Sequence, residues 1–189
     1  MQETAVSKKG LSTAEIVYIA ICAALMAVCS WISIPAPAPL APFTLQTFAV
    51  FLVLLLLGGR RGFLSILIYI LLGAIGLPVF AQFTGGVGIL FGTTGGYIIG
   101  FLFTALLYWV LESSIKDNNY LKIAALALGL AVCYLFGTGW FMVVYARSTE
   151  AVGLATALMW CVVPFIIPDL AKLALAWFLA ARLKRHVRI

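Results

Sequence analysis

Six apolar runs, at about 13–33, 45–59, 62–78, 93–112, 121–145 and 152–181, take up most of this 189-residue chain. Each is long enough, or nearly so, to enter a hydrocarbon layer about 30 Å thick, which a helix of about 20 residues crosses. The remaining sequence cannot clothe a water-soluble core. Only 10% of residues are charged while 65% are hydrophobic, against about 25% charged in an ordinary soluble domain. The expected fold is therefore all-α: a single membrane domain over 1–189 with six transmembrane helices. Spans two and three are short for upright helices and call for shielding by neighbours. Gly58-Gly59-Arg60-Arg61-Gly62 reads as a tight turn between them.

The N-terminus follows the same logic. Lys8 and Lys9 precede an apolar stretch from Ala14 to about Ile34, the length of a membrane span rather than of a short signal core. Ser12-Thr13-Ala14-Glu15 has the form of a capping box that starts a helix.

Charge placement orients the bundle. An even number of spans puts both termini on one side. With that side cytoplasmic, Lys8, Lys9, Arg60, Arg61, Lys116, Lys122, Arg182, Lys184, Arg185 and Arg188 fall inside, and only Arg147 falls outside. Lys172 lies within a span. This is the positive-inside pattern, and it accounts for the net charge of +6. Basic residues scattered over separate membrane loops make no nucleic-acid surface, so no nucleic-acid partner is expected. The lipid bilayer of the cell membrane is.

Several chemistries are excluded by residue type. The glycine-rich stretch from Leu77 to Tyr97 is no phosphate loop, because no Lys or Arg lies between Arg61 and Lys116 and such a loop needs a Lys. Cys22, Cys29, Cys133 and Cys161 lack metal-finger spacing, and the one His, His186, sits in the basic tail. The cysteines read as small buried apolar residues. No metal, cofactor or catalytic residue is expected.

Two outer loops are odd. Ser33–Thr47 carries four prolines and no charge, and Leu77–Tyr97 is glycine-rich, aromatic and uncharged. Irregular backbone at membrane depth survives where it is buried in protein or lines a cavity. The two loops read as lids over a pocket facing outward, with interfacial loops on lipid headgroups as the alternative.

The most informative residues are Asp169 and Lys172, inside the last span. Scales of membrane insertion put each at roughly 2.5–3.5 kcal/mol at that depth. Three residues apart on a helix, they can meet on one face. Pairing lowers their cost but does not explain their presence, since two leucines would cost nothing. Pro164 and Pro168, just upstream, weaken the helix, and a broken helix beside a charge pair is one way to build a polar site at membrane depth. The alternative is a self-satisfied pair that fixes helix packing. A site that offers an acceptor beside a donor suits a small neutral head with both N–H and C=O groups, such as a urea or amide. Gln46 adds an amide. Phe80, Phe83, Phe91, Tyr97, Tyr134, Trp140, Tyr145 and Trp160 can wall in an apolar body.

The segments PFTLQTF (Pro42–Phe48), LGGRRGFLSILIYILLGAIGLPVFA (Leu57–Ala81), GGVGILFGTTGGYIIGF (Gly85–Phe101) and PDLAKLALA (Pro168–Ala176), in that order and at this length, resemble the BioY family. These are the biotin-specific substrate-binding (S) subunits of energy-coupling-factor (ECF) vitamin transporters. The resemblance implies a non-enzymatic subunit of the plasma membrane that binds biotin from outside with high affinity. Its partners would be a transmembrane coupling (T) subunit and two ATPase subunits. It implies ligand contacts from Asp169, Lys172, Gln46 and Tyr97, with Gly85, Gly86, Phe91 and Tyr145 held for the same pocket. It also implies a partner-facing first helix carrying small residues four apart, here Ala20 and Ala24, and Ala23 and Ala27. Ordinary internal packing of an alanine-rich helix is the other reading of those alanines. The competing functions are an S subunit for another small vitamin-like solute and an intramembrane enzyme. The latter lacks a nucleophile with a nearby base.

Overall fold

The computed structural model describes residues 11–36, 41–115 and 118–184. Lys8, Lys9, Lys116, Arg185, His186, Arg188 and the middle of the proline-rich loop lie outside the described residues.

The first helix, α1 (Thr13–Trp31), begins at the expected capping box. Ser12 Oγ accepts from the Glu15 backbone N–H, and a Glu15 carboxylate oxygen accepts from the Ser12 N–H at 2.7 Å. Two short antiparallel strands, β1 (Ser33–Ile34) and β2 (Phe43–Thr44), then close the first outer loop on itself, with Ser33 opposite Thr44. Proline density keeps this loop from forming a helix, and pairing its two ends satisfies their backbone groups.

The next element, α2 (Gln46–Ala74), is helical throughout except at Gly58, whose φ of 79° lies in the left-handed region. Glycine adopts that conformation without the steric penalty of a Cβ. In a straight helix Gln46 and Tyr69 would sit about 35 Å apart at 1.5 Å per residue. Instead, Gln46 Nε2 donates to the Tyr69 hydroxyl at 2.6 Å. A Cβ on Gly62 would lie 3.3 Å from Leu54 Cα. The chain therefore reverses at Gly58, and the two arms of α2 run antiparallel as spans two and three. The first arm is shielded as its shortness demands: every residue from Ala49 to Leu55 is buried.

A 3-10 turn (Ala81–Phe83) and the short helix α3 (Val87–Phe91) follow, then α4 (Gly95–Ile115) and α5 (Asn119–Ser148). These two pack closely through small residues. A Cβ on Gly100 would meet Cys133 Sγ at 2.7 Å, one on Gly129 would meet Thr104 Cγ2 at 2.7 Å, and Thr104 Oγ1 donates to the Gly129 carbonyl at 2.8 Å. Small residues let the backbones approach, which is how helices associate where the hydrophobic effect gives no drive.

The last span, one apolar run in the sequence weakened by Pro164 and Pro168, is not a continuous helix. It is broken into α6 (Leu154–Cys161) and α7 (Val163–Leu183), with Val162 at φ −123° and ψ −56°. Pro164 falls in the first turn of α7, where its missing N–H would have had no helical partner anyway. Pro168 is accommodated inside α7. Five elements among the described residues are long and apolar enough to cross a membrane, α6 and α7 counting as one. The reversal at Gly58 divides another into two arms, which gives six helical passes.

One end of the bundle gathers charge. Arg61 pairs with Glu15, and a Glu112 carboxylate oxygen accepts from the Gly59 N–H at 2.9 Å. The start of α1, the α2 reversal and the end of α4 thus meet there, and this is the cytoplasmic end by the charge rule. The uncharged loops lie at the opposite end.

Candidate functional site

At that opposite end a cavity of about 250 Å³ opens between α2, α4, α5 and α7. Its wall is mostly apolar, from Phe80, Ile89, Ile98, Phe101 and Phe165. Both outer loops contribute: Ala41, Pro42 and Thr44 from the first, and Phe80 to Thr94 in part from the second. The lid arrangement expected from their composition is what the fold builds. Phe43 of β2 stacks on Phe165 of α7, with ring centroids 4.4 Å apart. The second loop is fastened to α1: Ser30 Oγ donates to the Val79 carbonyl, Trp31 Nε1 donates to the Pro78 carbonyl at 2.8 Å, and Trp31 stacks on Phe83 at 5.0 Å.

Asp169 is 2% exposed and reaches the cavity wall from α7. Its Oδ1 accepts from Lys172 Nζ and from Thr47 Oγ1, both at 2.8 Å, and its Oδ2 accepts from the Tyr134 hydroxyl at 2.6 Å. A carboxylate has about four acceptor positions, so three donors leave one open. Lys172 carries three N–H donors and spends one on Asp169. Charge-assisted bonds of this kind are the strong ones, and they hold the carboxylate still. The site therefore presents a fixed acceptor and an ammonium donor side by side in an otherwise apolar chamber.

Gln46 begins α2 at the same level. Its Oε1 accepts from Thr44 Oγ1 at 3.1 Å, and its Nε2 donates to Tyr69. Tyr97 of α4 lines the cavity with its hydroxyl 3.0 Å from Thr138 Oγ1. Asp169, Lys172, Gln46 and Tyr97 are thus brought together around one space.

The other four residues held for the pocket do not line it. A Cβ on Gly85 would fall 2.2 Å from the Leu77 carbonyl oxygen, and the Gly86 N–H donates to the Gly73 carbonyl at 2.7 Å. With φ 99° at Gly86, both glycines let the second loop lie against the end of α2. Phe91 is 70% exposed, its ring centroid 6.5 Å from that of Trp140. Tyr145 stacks on Phe141 and meets Trp160 edge-on. It sits one layer behind Cys161, which does line the cavity.

Thr47 and Tyr134 bind Asp169 directly, a role that no local spacing in the sequence announces. Cys133 and Cys161 are buried, as their type suggests, but both reach the cavity wall.

On α1 the two alanine pairs separate. Ala23 and Ala27 are buried inside the bundle, whereas Ala20 and Ala24 are exposed beside Ile16, Val17, Ile21 and Val28. A helix of 3.6 residues per turn puts adjacent positions about 100° apart, so only the Ala20–Ala24 pair offers an outward face. Internal packing claims the other.

Six helical passes enclosing a solute-sized chamber with a buried charge pair define a polytopic membrane protein with an internal binding cavity. Comparison with known proteins sharpens this. The sequence matches the BioY family over residues 2–189, and the chain belongs to that family. It is 39% identical over 171 residues to the biotin transporter BioY of Thermotoga maritima, covering 90% of this chain and 96% of the relative. It is 40% identical over 171 residues to the probable biotin transporter BioY of Pyrococcus horikoshii, with the same coverage of 90% and 96%. Its structure resembles the crystal structure of the S-component for biotin from an ECF-type ABC transporter. The TM-score is 0.80 at 25% identity, over 94% of this chain and 96% of that one.

Proposed function

We propose that this chain is the biotin-binding S subunit of an ECF-type uptake transporter, a multi-pass protein of the cell membrane acting as one six-helix unit. It captures biotin from outside and performs no chemistry on it. A T subunit and two ATPase subunits supply the energy. The observation that carries the reading is the immobilised Asp169–Lys172 pair at the cavity wall. A urea group has a carbonyl and two N–H groups. Lys172 donates to the carbonyl, the open position on Asp169 accepts one N–H, and Gln46 and Tyr97 flank the head. Phe80, Phe101 and Phe165 enclose the apolar body of the ligand. The pair is neutral overall, which matches an uncharged head. Burying that head against an ammonium and a carboxylate favours a ligand that satisfies both, because a group lacking either partner leaves a buried charge short of a bond.

The test is to purify the protein in detergent, identify any small molecule that comes with it by mass spectrometry, and titrate the emptied protein with biotin. Unchanged biotin and saturable binding are expected. A different co-purifying solute with no biotin binding overturns the ligand, and recovery of a chemically converted product overturns the non-enzymatic reading.

A further inference from the structure

Behind the cavity wall the Gln46 amide is held by a side chain that does not itself line the cavity. Gln46 Nε2 donates to the Tyr69 hydroxyl at 2.6 Å, and Tyr69 is completely buried. On the other side Gln46 Oε1 accepts from Thr44 Oγ1 at 3.1 Å. An amide nitrogen only donates and an amide oxygen only accepts, so these two contacts set which way the Gln46 amide faces.

Tyr69 also sets an apolar wall. Its ring meets Phe80 edge-on at 5.6 Å, and Phe80 is both fully buried and part of the cavity lining. One side chain thus fixes the orientation of the pocket amide and the seat of the loop aromatic.

We infer that Tyr69 is a positioning residue for the binding site: through its hydrogen bond to Gln46 it locks the orientation of the Gln46 amide presented to the ligand. The inference rests on the biotin-site reading above. It predicts a specific coupling. Tyr69 affects affinity through Gln46, so removing its hydroxyl matters only while Gln46 is present.

The experiment is a double-mutant cycle on purified protein, with biotin affinity and thermal stability measured for the unaltered chain, Tyr69→Phe, Gln46→Ala and the double variant. Tyr69→Phe is expected to weaken binding roughly fivefold to tenfold, the worth of about one hydrogen bond. In the Gln46→Ala background the same change is expected to have less than a twofold effect. Tyr69→Met also lacks the hydroxyl and is carried through the same cycle as the second route if Tyr69→Phe does not fold. Losses that multiply in the double variant, or unaltered affinity in Tyr69→Phe, overturn the inference while biotin binding itself stands. Absence of biotin binding by the unaltered protein overturns the site reading and this inference with it. A merely structural role for Tyr69 would lower thermal stability by the same amount in both backgrounds and leave no coupling in affinity.

Discussion

Thr47 and Asp169, 122 positions apart in sequence, share a 2.8 Å hydrogen bond. It ties the start of α2 to α7 at the level of the cavity. The carboxylate is therefore anchored from two other helices, by Thr47 on α2 and Tyr134 on α5, as well as by Lys172 on its own. This matters for any variant of the pair, because neutralising Asp169 alone leaves Lys172 unpaired at membrane depth, a costly state.

The comparison that isolates the site is Asp169→Asn against Asp169→Asn combined with Lys172→Met. The double variant removes both charges; its amide oxygen can accept from one of Thr47 and Tyr134 while its nitrogen donates to the other hydroxyl. It is expected to fold, and to bind biotin at least tenfold more weakly, since bonds to charged groups are worth about 1.5–3 kcal/mol each. Detergent-phase melting and biotin titration of both variants check this. A well-folded double variant with unchanged affinity would falsify the assignment.

The outward Ala20–Ala24 face of α1 separates assembly from binding. Ala24→Trp is expected to abolish co-purification with the coupling subunit and biotin uptake, while biotin affinity stays within twofold. Ala27→Trp enters a buried position and is expected to impair folding instead, since overpacking costs about 1–3 kcal/mol or more. Pull-down of the coupling subunit is the readout, and normal assembly of Ala24→Trp would remove α1 from the interface.

Sidedness is open to a direct chemical check. Ser148 ends α5 near the outer loops and Ser114 lies near the end of α4, both exposed. In a chain whose native cysteines are replaced, a Cys at 148 should react with an impermeant maleimide added outside intact cells. A Cys at 114 should react only after permeabilisation. The reverse labelling would invert the bundle.

Gly73 is a stability test of the loop seat. A Cβ there would fall 2.0 Å from Phe80 Cζ, and Phe80 is fully buried. Gly73→Ala forces the ring aside. We expect a loss of about 1–3 kcal/mol in stability and weaker biotin binding together, read by melting and titration. Unchanged values for both would show that Phe80 has room to move.

Much of this arrangement is legible in the chain. Hydropathy locates the spans, Gly58 marks a reversal because few other residues turn there, and Asp169 with Lys172 stands out because two charges in an apolar run need a reason. Pro164 and Pro168 signal a weakened last span, but the position of the break at Val162 is not legible, because proline is at home in the first turn of a helix and Pro164 marks a start rather than an end. Thr47 and Tyr134 escape for another reason: a hydroxyl in a span costs little, and nothing local records which carboxylate it meets. On α1 every face is apolar, so the pattern that normally separates inside from outside has no contrast. Only packing shows that Ala23 turns inward and Ala24 outward.

The reversal at Gly58 also fixes a depth. From Gln46 to Leu57 the first arm of α2 rises only about 18 Å at 1.5 Å per residue, whereas the hydrocarbon layer measures about 30 Å. Because this arm is sheathed by its neighbours, lipid never has to match its length, and the missing 12 Å or so becomes a well. Its floor is the pair of side chains that open the helix, Gln46 and Thr47. The number of residues between floor and turn thus acts as a ruler: a helix one turn longer would raise the floor by about 5.4 Å and leave a shallower vessel, so this stub of helix sets how long a solute the protein can swallow.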